Sequence, residues 1–166
     1  PDAIQVSARA ALRIPVDGGG GISQESRLLL ASALEEAEVW DAALSEWGLQ
    51  EALGEGGAAP YLREFRIHLV RGDEAAARET LWRCVATTPG TTGLLTRFAE
   101  QARRVLALEL SVELYALALR IDGGNTSLAF AAAEPLLLLG RDDEAGALLE
   151  RYAGDGGPGS IRNQRL

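Results

Sequence analysis

The chain has 166 residues, 47% of them apolar, which suits one domain large enough to bury a core without covalent staples. Its net charge of −8 argues against a nucleic-acid or anionic-lipid surface, since such binding needs clustered cations to displace counterions. Basic or neutral protein partners are expected instead, and the single cysteine, Cys84, leaves no internal disulfide or cysteine metal cluster to consider. All sixteen cationic side chains are arginine; lysine and methionine are absent and Ala, Gly and Leu abound, as in a GC-rich bacterial coding sequence. The compartment, cytoplasmic or periplasmic, is left open. The chain starts at Pro1 without an initiator methionine, so it reads as a mature form or, preferably, a piece of a longer polypeptide.

In residues 1–22, Ile4, Val6, Ala8, Ala10, Leu12, Ile14 and Val16 alternate as in a strand, while Ile4, Ala8, Ala11 and Leu12 fit a helix face equally well. Gly18 to Gly21 then form a joint. Helices are expected at about 24–36, 40–53, 59–70, 73–87, 92–104, 107–121, 126–138 and 142–153. Ser23, Asp73 and Asn125 with Thr126 are candidate caps, and Pro60 sits near a first-turn position. Gly54, Pro89-Gly90, Gly123-Gly124 and Gly154 are the stops. Pro135 should kink the seventh helix near Ala131 or make it restart at Glu134. The longest apolar run, Leu128 to Leu139, is broken by Glu134 and Pro135 and falls short of the ~18 residues a bilayer span needs. The domain is thus placed at residues 23–155, followed by a glycine-rich polar tail at 156–166.

Two similar phrases, Arg71-Gly72-Asp73-Glu74 and Gly140-Arg141-Asp142-Asp143-Glu144, have glycines two periods of 34 residues apart. In that frame Ala43, Ala77, Ser111 and Ala145 form one column of small residues. Trp47, Leu81, Tyr115 and Leu149 follow four residues later, and Ala31, Phe65, Ala99 and Ala133 form a third column. Glu38, Gly72, Leu106 and Gly140 fall where one helix gives way to the next. Glu55, Pro89, Gly123 and Gly157 fall where one pair ends.

The small-x-x-x-large pairs at this period resemble the tetratricopeptide repeat family, a helix-turn-helix unit of 34 residues. The resemblance covers residues 24–157 as four degenerate units. Most of the first-helix tryptophan and tyrosine common in the family is missing, and only Pro89 ends its unit with proline. It implies an all-α fold: a right-handed superhelical stack of about four helix-turn-helix repeats, an α-solenoid. No terminal capping helix is visible, so Leu136 to Leu139, Leu148 and Leu149 should be partly unprotected.

The resemblance further implies that first helices line a concave groove. Its ladders would be Leu28, Leu62, Thr96 and Phe130; Ser32, Arg66, Glu100 and Glu134; and Glu35, Leu69, Arg103 and Leu137. Apolar patches beside Arg66 and Arg103 would suit an extended or helical peptide with hydrophobic anchors and a carboxylate. One subset of the family clamps the C-terminal carboxylates of chaperones with cations and asparagine; Leu28, Ser32 and Leu62 stand at such places here, which speaks against that ligand.

Chemistry finds little foothold. His68, the only histidine, shares a column with Leu34, Ala102 and Leu136 and is expected to point inward, not to catalyse or bind metal. Cys84 shares one with Gln50, Ala118 and Tyr152 and reads as packing. The glycine runs at 18–21 and 154–159 lack the Lys-Ser or Lys-Thr of a phosphate loop. The carboxylates at Glu35, Glu36 and Glu38 and at Asp142, Asp143 and Glu144 read as solvated or capping. Arg97, Arg103 and Arg104 are too isolated to mark nucleic acid. The expectation is a non-catalytic protein-interaction scaffold without cofactor or metal, working through the groove or the uncapped end. Self-assembly through the last repeat, and a sensor or regulatory module beside an enzyme or DNA-binding domain, are the alternatives.

Overall fold

The computed structural model describes residues 23–154, so the expectations for residues 1–22 and 156–166 lie outside the described residues. The fold is all-α, and among the described residues eight helices form four helix-turn-helix hairpins. They group into two compact units, divided between Thr88 and Pro89. The first unit holds α1 (Gln24–Glu36), α2 (Trp40–Ala52), α3 (Ala59–Val70) and α4 (Glu74–Thr87). The second holds α5 (Thr91–Arg104), α6 (Leu108–Ile121), α7 (Thr126–Leu138) and α8 (Asp142–Gly154). Within each unit consecutive helices pack on one another. At the division Thr88 is extended (φ −121°, ψ 130°), as a residue before proline tends to be, and Gly90 is left-handed (φ 90°).

Every hairpin turns in the same way. Three residues join its helices, and the middle one has positive φ: Glu38 (57°), Gly72 (78°), Leu106 (61°) and Gly140 (72°). The next amide then donates back to the carbonyl five residues earlier: Val39 to Leu34 (2.9 Å), Asp73 to His68 (2.8 Å), Ala107 to Ala102 (2.9 Å) and Arg141 to Leu136 (2.9 Å). This is the Schellman closure, which satisfies carbonyls left bare at a helix C-terminus. Glycine reaches the left-handed region freely; Glu38 and Leu106 must bear a Cβ crowding there.

Local chemistry explains the starts. The side chain of Ser23 accepts from the Ser26 amide, Asp73 from the Ala76 amide at 3.0 Å and Asn125 from the Leu128 amide at 3.0 Å, replacing intrahelical partners that first-turn amides lack. Pro60 occupies the first turn of α3, where its missing N–H costs nothing.

The repeated columns form the core. Ala43, Ala77, Ser111 and Ala145 are all buried, as are Ala31, Phe65, Ala99 and Ala133, and Trp47, Leu81 and Tyr115. Leu149 is only half-buried, packed with Leu148 and Val112 on Ala133, Leu136 and Ala145. A small side chain is needed in the first column because neighbouring helices approach closely there. Ser111 uses that approach to donate its Oγ hydrogen to the Ala99 carbonyl at 2.9 Å, tying α6 to α5.

Three expectations are corrected. α7 runs unbroken through Pro135 and does not restart at Glu134, because the proline falls in its last turn, where φ is already helical and one bond is lost. Leu136 is buried, not unprotected, since Ala133 and Ala145 close over it, while Leu137 and Leu138 are exposed. Glu35 is not solvated like Glu36 and Glu38: it is 4% exposed, beneath arginines from α3.

Candidate functional site

In the first unit the three columns named for a groove sit at different depths. Leu62 is buried; Leu28, Ser32, Arg66 and Leu69 are half-buried. The Glu35 carboxylate on α1 meets two guanidiniums from α3, Arg66 at 2.9 Å and Arg63 at 3.6 Å. Arg63 also lies over the Trp47 ring at 5.8 Å. Arg66 therefore spends its charge on a carboxylate of its own fold, holding the second hairpin to the first.

A second ionic cluster joins α2, α3 and α4 of that unit. Arg83 on α4 reaches Glu64 on α3 at 2.7 Å and Glu51 on α2 at 3.3 Å, over the Tyr61 ring. Burial pushes the Glu64 carboxyl above its ordinary value; the Arg83 charge opposes this and the Glu51 charge adds to it. Two carboxylates thus share one cation.

In the second unit Thr96, Glu100 and Arg103 are half-buried, and Arg103 on α5 pairs with Glu134 on α7 at 2.8 Å. Phe130 and Leu137, on α7, are 60% and 52% exposed. The structure thus brings Glu35 to Arg66 and Arg103 to Glu134, each pair 31 residues apart in sequence. Both join first helices of successive hairpins inside one unit. Each arginine meets one or more carboxylates of its own unit, although the Arg103 Nε is buried without a hydrogen-bond partner, and α7 presents Phe130, Leu137 and Leu138 to solvent beside Ser127 and Glu134.

Two features had no sequence signal at the spacing considered. Trp82 on α4 is half-exposed. Between α6 and α8 lies an open cleft of about 850 Å3, walled by Leu117, Leu119 and Leu148, with Arg120, Arg151 and Tyr152 around it. Its residues are adjacent only once two second helices lie side by side.

His68 is half-buried near the end of α3, and burial lowers its pKa, with the nearby Asp73 charge opposing. Cys84 is fully buried. Among the described residues no group of three or more His, Cys, Asp or Glu side chains could hold a metal ion, and no helix is long and apolar enough to cross a membrane.

No protein-family model and no curated protein sequence matches the chain. Among solved structures it is similar to one described as the crystal structure of MamA protein. That likeness has 15% sequence identity and a TM-score of 0.50, covering 90% of this chain and 78% of that one. At this identity it speaks for the fold alone, an all-α stack of helical hairpins.

Proposed function

We propose that this chain is a non-catalytic interaction scaffold, part of a larger bacterial protein or assembly, which docks a segment of a protein partner on the first helices of its hairpins. The observation that carries the reading is Phe130, a large apolar side chain left 60% exposed on a first helix. In the preceding hairpins the same column holds Leu62, buried, and Leu28 and Thr96, half-buried. An exposed aromatic anchor on a rigid helix is the kind of group that fills a partner's pocket. Because Arg66 and Arg103 are held by internal carboxylates, the partner contributes chiefly apolar side chains and little charge.

Crosslinking to recover partners, followed by calorimetry, tests this. Phe130→Asp should abolish binding, at about 2 kcal/mol or more if it is a hot spot, while Arg66→Gln should change affinity little. Unchanged affinity in Phe130→Asp would remove the reading. A turnover detected in the purified chain and lost in His68→Gln with folding intact would remove its non-catalytic part.

A further inference from the structure

The contacts between successive first helices follow a fixed rule. Glu35 on α1 meets Arg63 and Arg66 on α3, and Arg103 on α5 meets Glu134 on α7. Glu35, Arg103 and Leu137 belong to one repeat column, and Arg66 and Glu134 to another, so within each unit the first column of one hairpin touches the second column of the hairpin after it. Leu137 on α7 is the next member of this column, and it is 52% exposed.

If the first hairpin of another copy followed α7 in the same register, Leu29 would stand at the place of Arg63 and Ser32 at that of Arg66. Leu29 is 58% exposed on α1. Arg63 also covers Trp47, whose column continues to Leu149, and Leu149 is half-buried. The register therefore delivers an exposed leucine onto an exposed and a half-buried one, where within the units it delivers arginine onto glutamate or glutamate onto arginine. Leu138 lies outside the column that makes this contact in both units.

From this we infer that a second copy of the chain is the occupant of the exposed α7 face, stacking head to tail with its Leu29 and Ser32 against Leu137 and Leu149. The interface prolongs one already present inside each unit. It is heterologous, so it repeats from copy to copy and has no built-in stop at a dimer. With −8 on each copy and no ion pair at this contact, added salt screens the repulsion and strengthens assembly, opposite to an interface held by charge. The inference goes beyond the docking of a partner at Phe130 and uses neither that residue nor a partner.

Sedimentation of the full chain over a wide concentration series, at low and high salt, is the test. The wild type should grow in mass with concentration, more so at high salt. Leu137→Arg and Leu29→Glu, both at exposed helical positions, should each remain monomeric with unchanged thermal melts. Mixed, they should assemble again, because the intact tail of one fits the intact head of the other. A wild type that stays monomeric at every concentration and salt overturns the inference and leaves the Phe130 reading standing. Assembly by Leu29→Glu alone also overturns it, since that would mean α7 pairing with α7.

Discussion

The two units share one backbone plan and are held together by different chemistry. In the first, Glu35, Glu46, Gln50, Glu64 and Thr80 are buried polar side chains; in the second, Ser111 is the buried one among the described residues. The first joins its hairpins through Glu35 with Arg63 and Arg66, and through Glu51 with Arg83, which also holds Glu64 of its own hairpin. The second buries Leu94, Leu95, Phe98, Leu110, Leu114 and Tyr115 and spans its hairpins with half-exposed pairs such as Arg103 with Glu134. The repeat period thus dictates where helices turn and where they must be thin, and leaves free the kind of contact between hairpins.

The largest break in that comparison should come from removing a shared cation. Arg83→Met leaves Glu51 and Glu64 facing each other without it and should cost about 3 kcal/mol in urea unfolding. Arg103→Met, breaking a half-exposed pair in the second unit, should cost about 1 kcal/mol or less. Equal losses would mean that the ionic character of the first unit contributes no more than a surface pair does.

Next comes the feature that the units share. Ala77→Leu inserts a large side chain where α4 meets its neighbours and should cost about 2 kcal/mol by overpacking. Ser111→Ala, at the corresponding place in the second unit, keeps the small volume and should lose only its bond to the Ala99 carbonyl, about 1 kcal/mol. A harmless Ala77→Leu would show that close approach is not what the column provides.

A gain of about 1 kcal/mol is expected from Leu106→Gly and Glu38→Gly, which relieve left-handed strain, less the entropy that glycine adds to the unfolded chain. Gly72→Ala and Gly140→Ala should lose a similar amount. Thermal melts of the four variants read this directly.

The smallest expected effect is a pH difference between units. The Glu64 pKa is raised above 4.5 in the folded state, so folded protein binds the proton more tightly than unfolded protein. Its contribution to stability therefore rises as pH falls from above the raised value towards 4.5, and falls again as pH returns to neutral. Glu64→Gln should remove that rise. Identical profiles for wild type and Glu64→Gln would contradict the assignment.

Helix limits were legible to within about one residue because caps or glycine stops agree with the apolar spacing in every hairpin. The small column was legible because its function is volume, which a one-letter code records. The left-handed turns were only half legible: Gly72 and Gly140 announce them, whereas Glu38 and Leu106 hide the same conformation behind ordinary side chains. Glu35 looked solvated beside Glu36 and Glu38, since its burial comes from arginines that sequence spacing does not bring into contact until the hairpins pack. For the same reason the pairs of Arg66 with Glu35 and of Arg103 with Glu134 were not legible.

The period itself is tested most directly by scalar couplings through hydrogen bonds in nuclear magnetic resonance. They should link the amides of Val39, Asp73, Ala107 and Arg141 to the carbonyls of Leu34, His68, Ala102 and Leu136. Four couplings of similar size are the outcome predicted here; couplings at the two glycine turns with none at Glu38 and Leu106 would contradict a common turn in all four repeats.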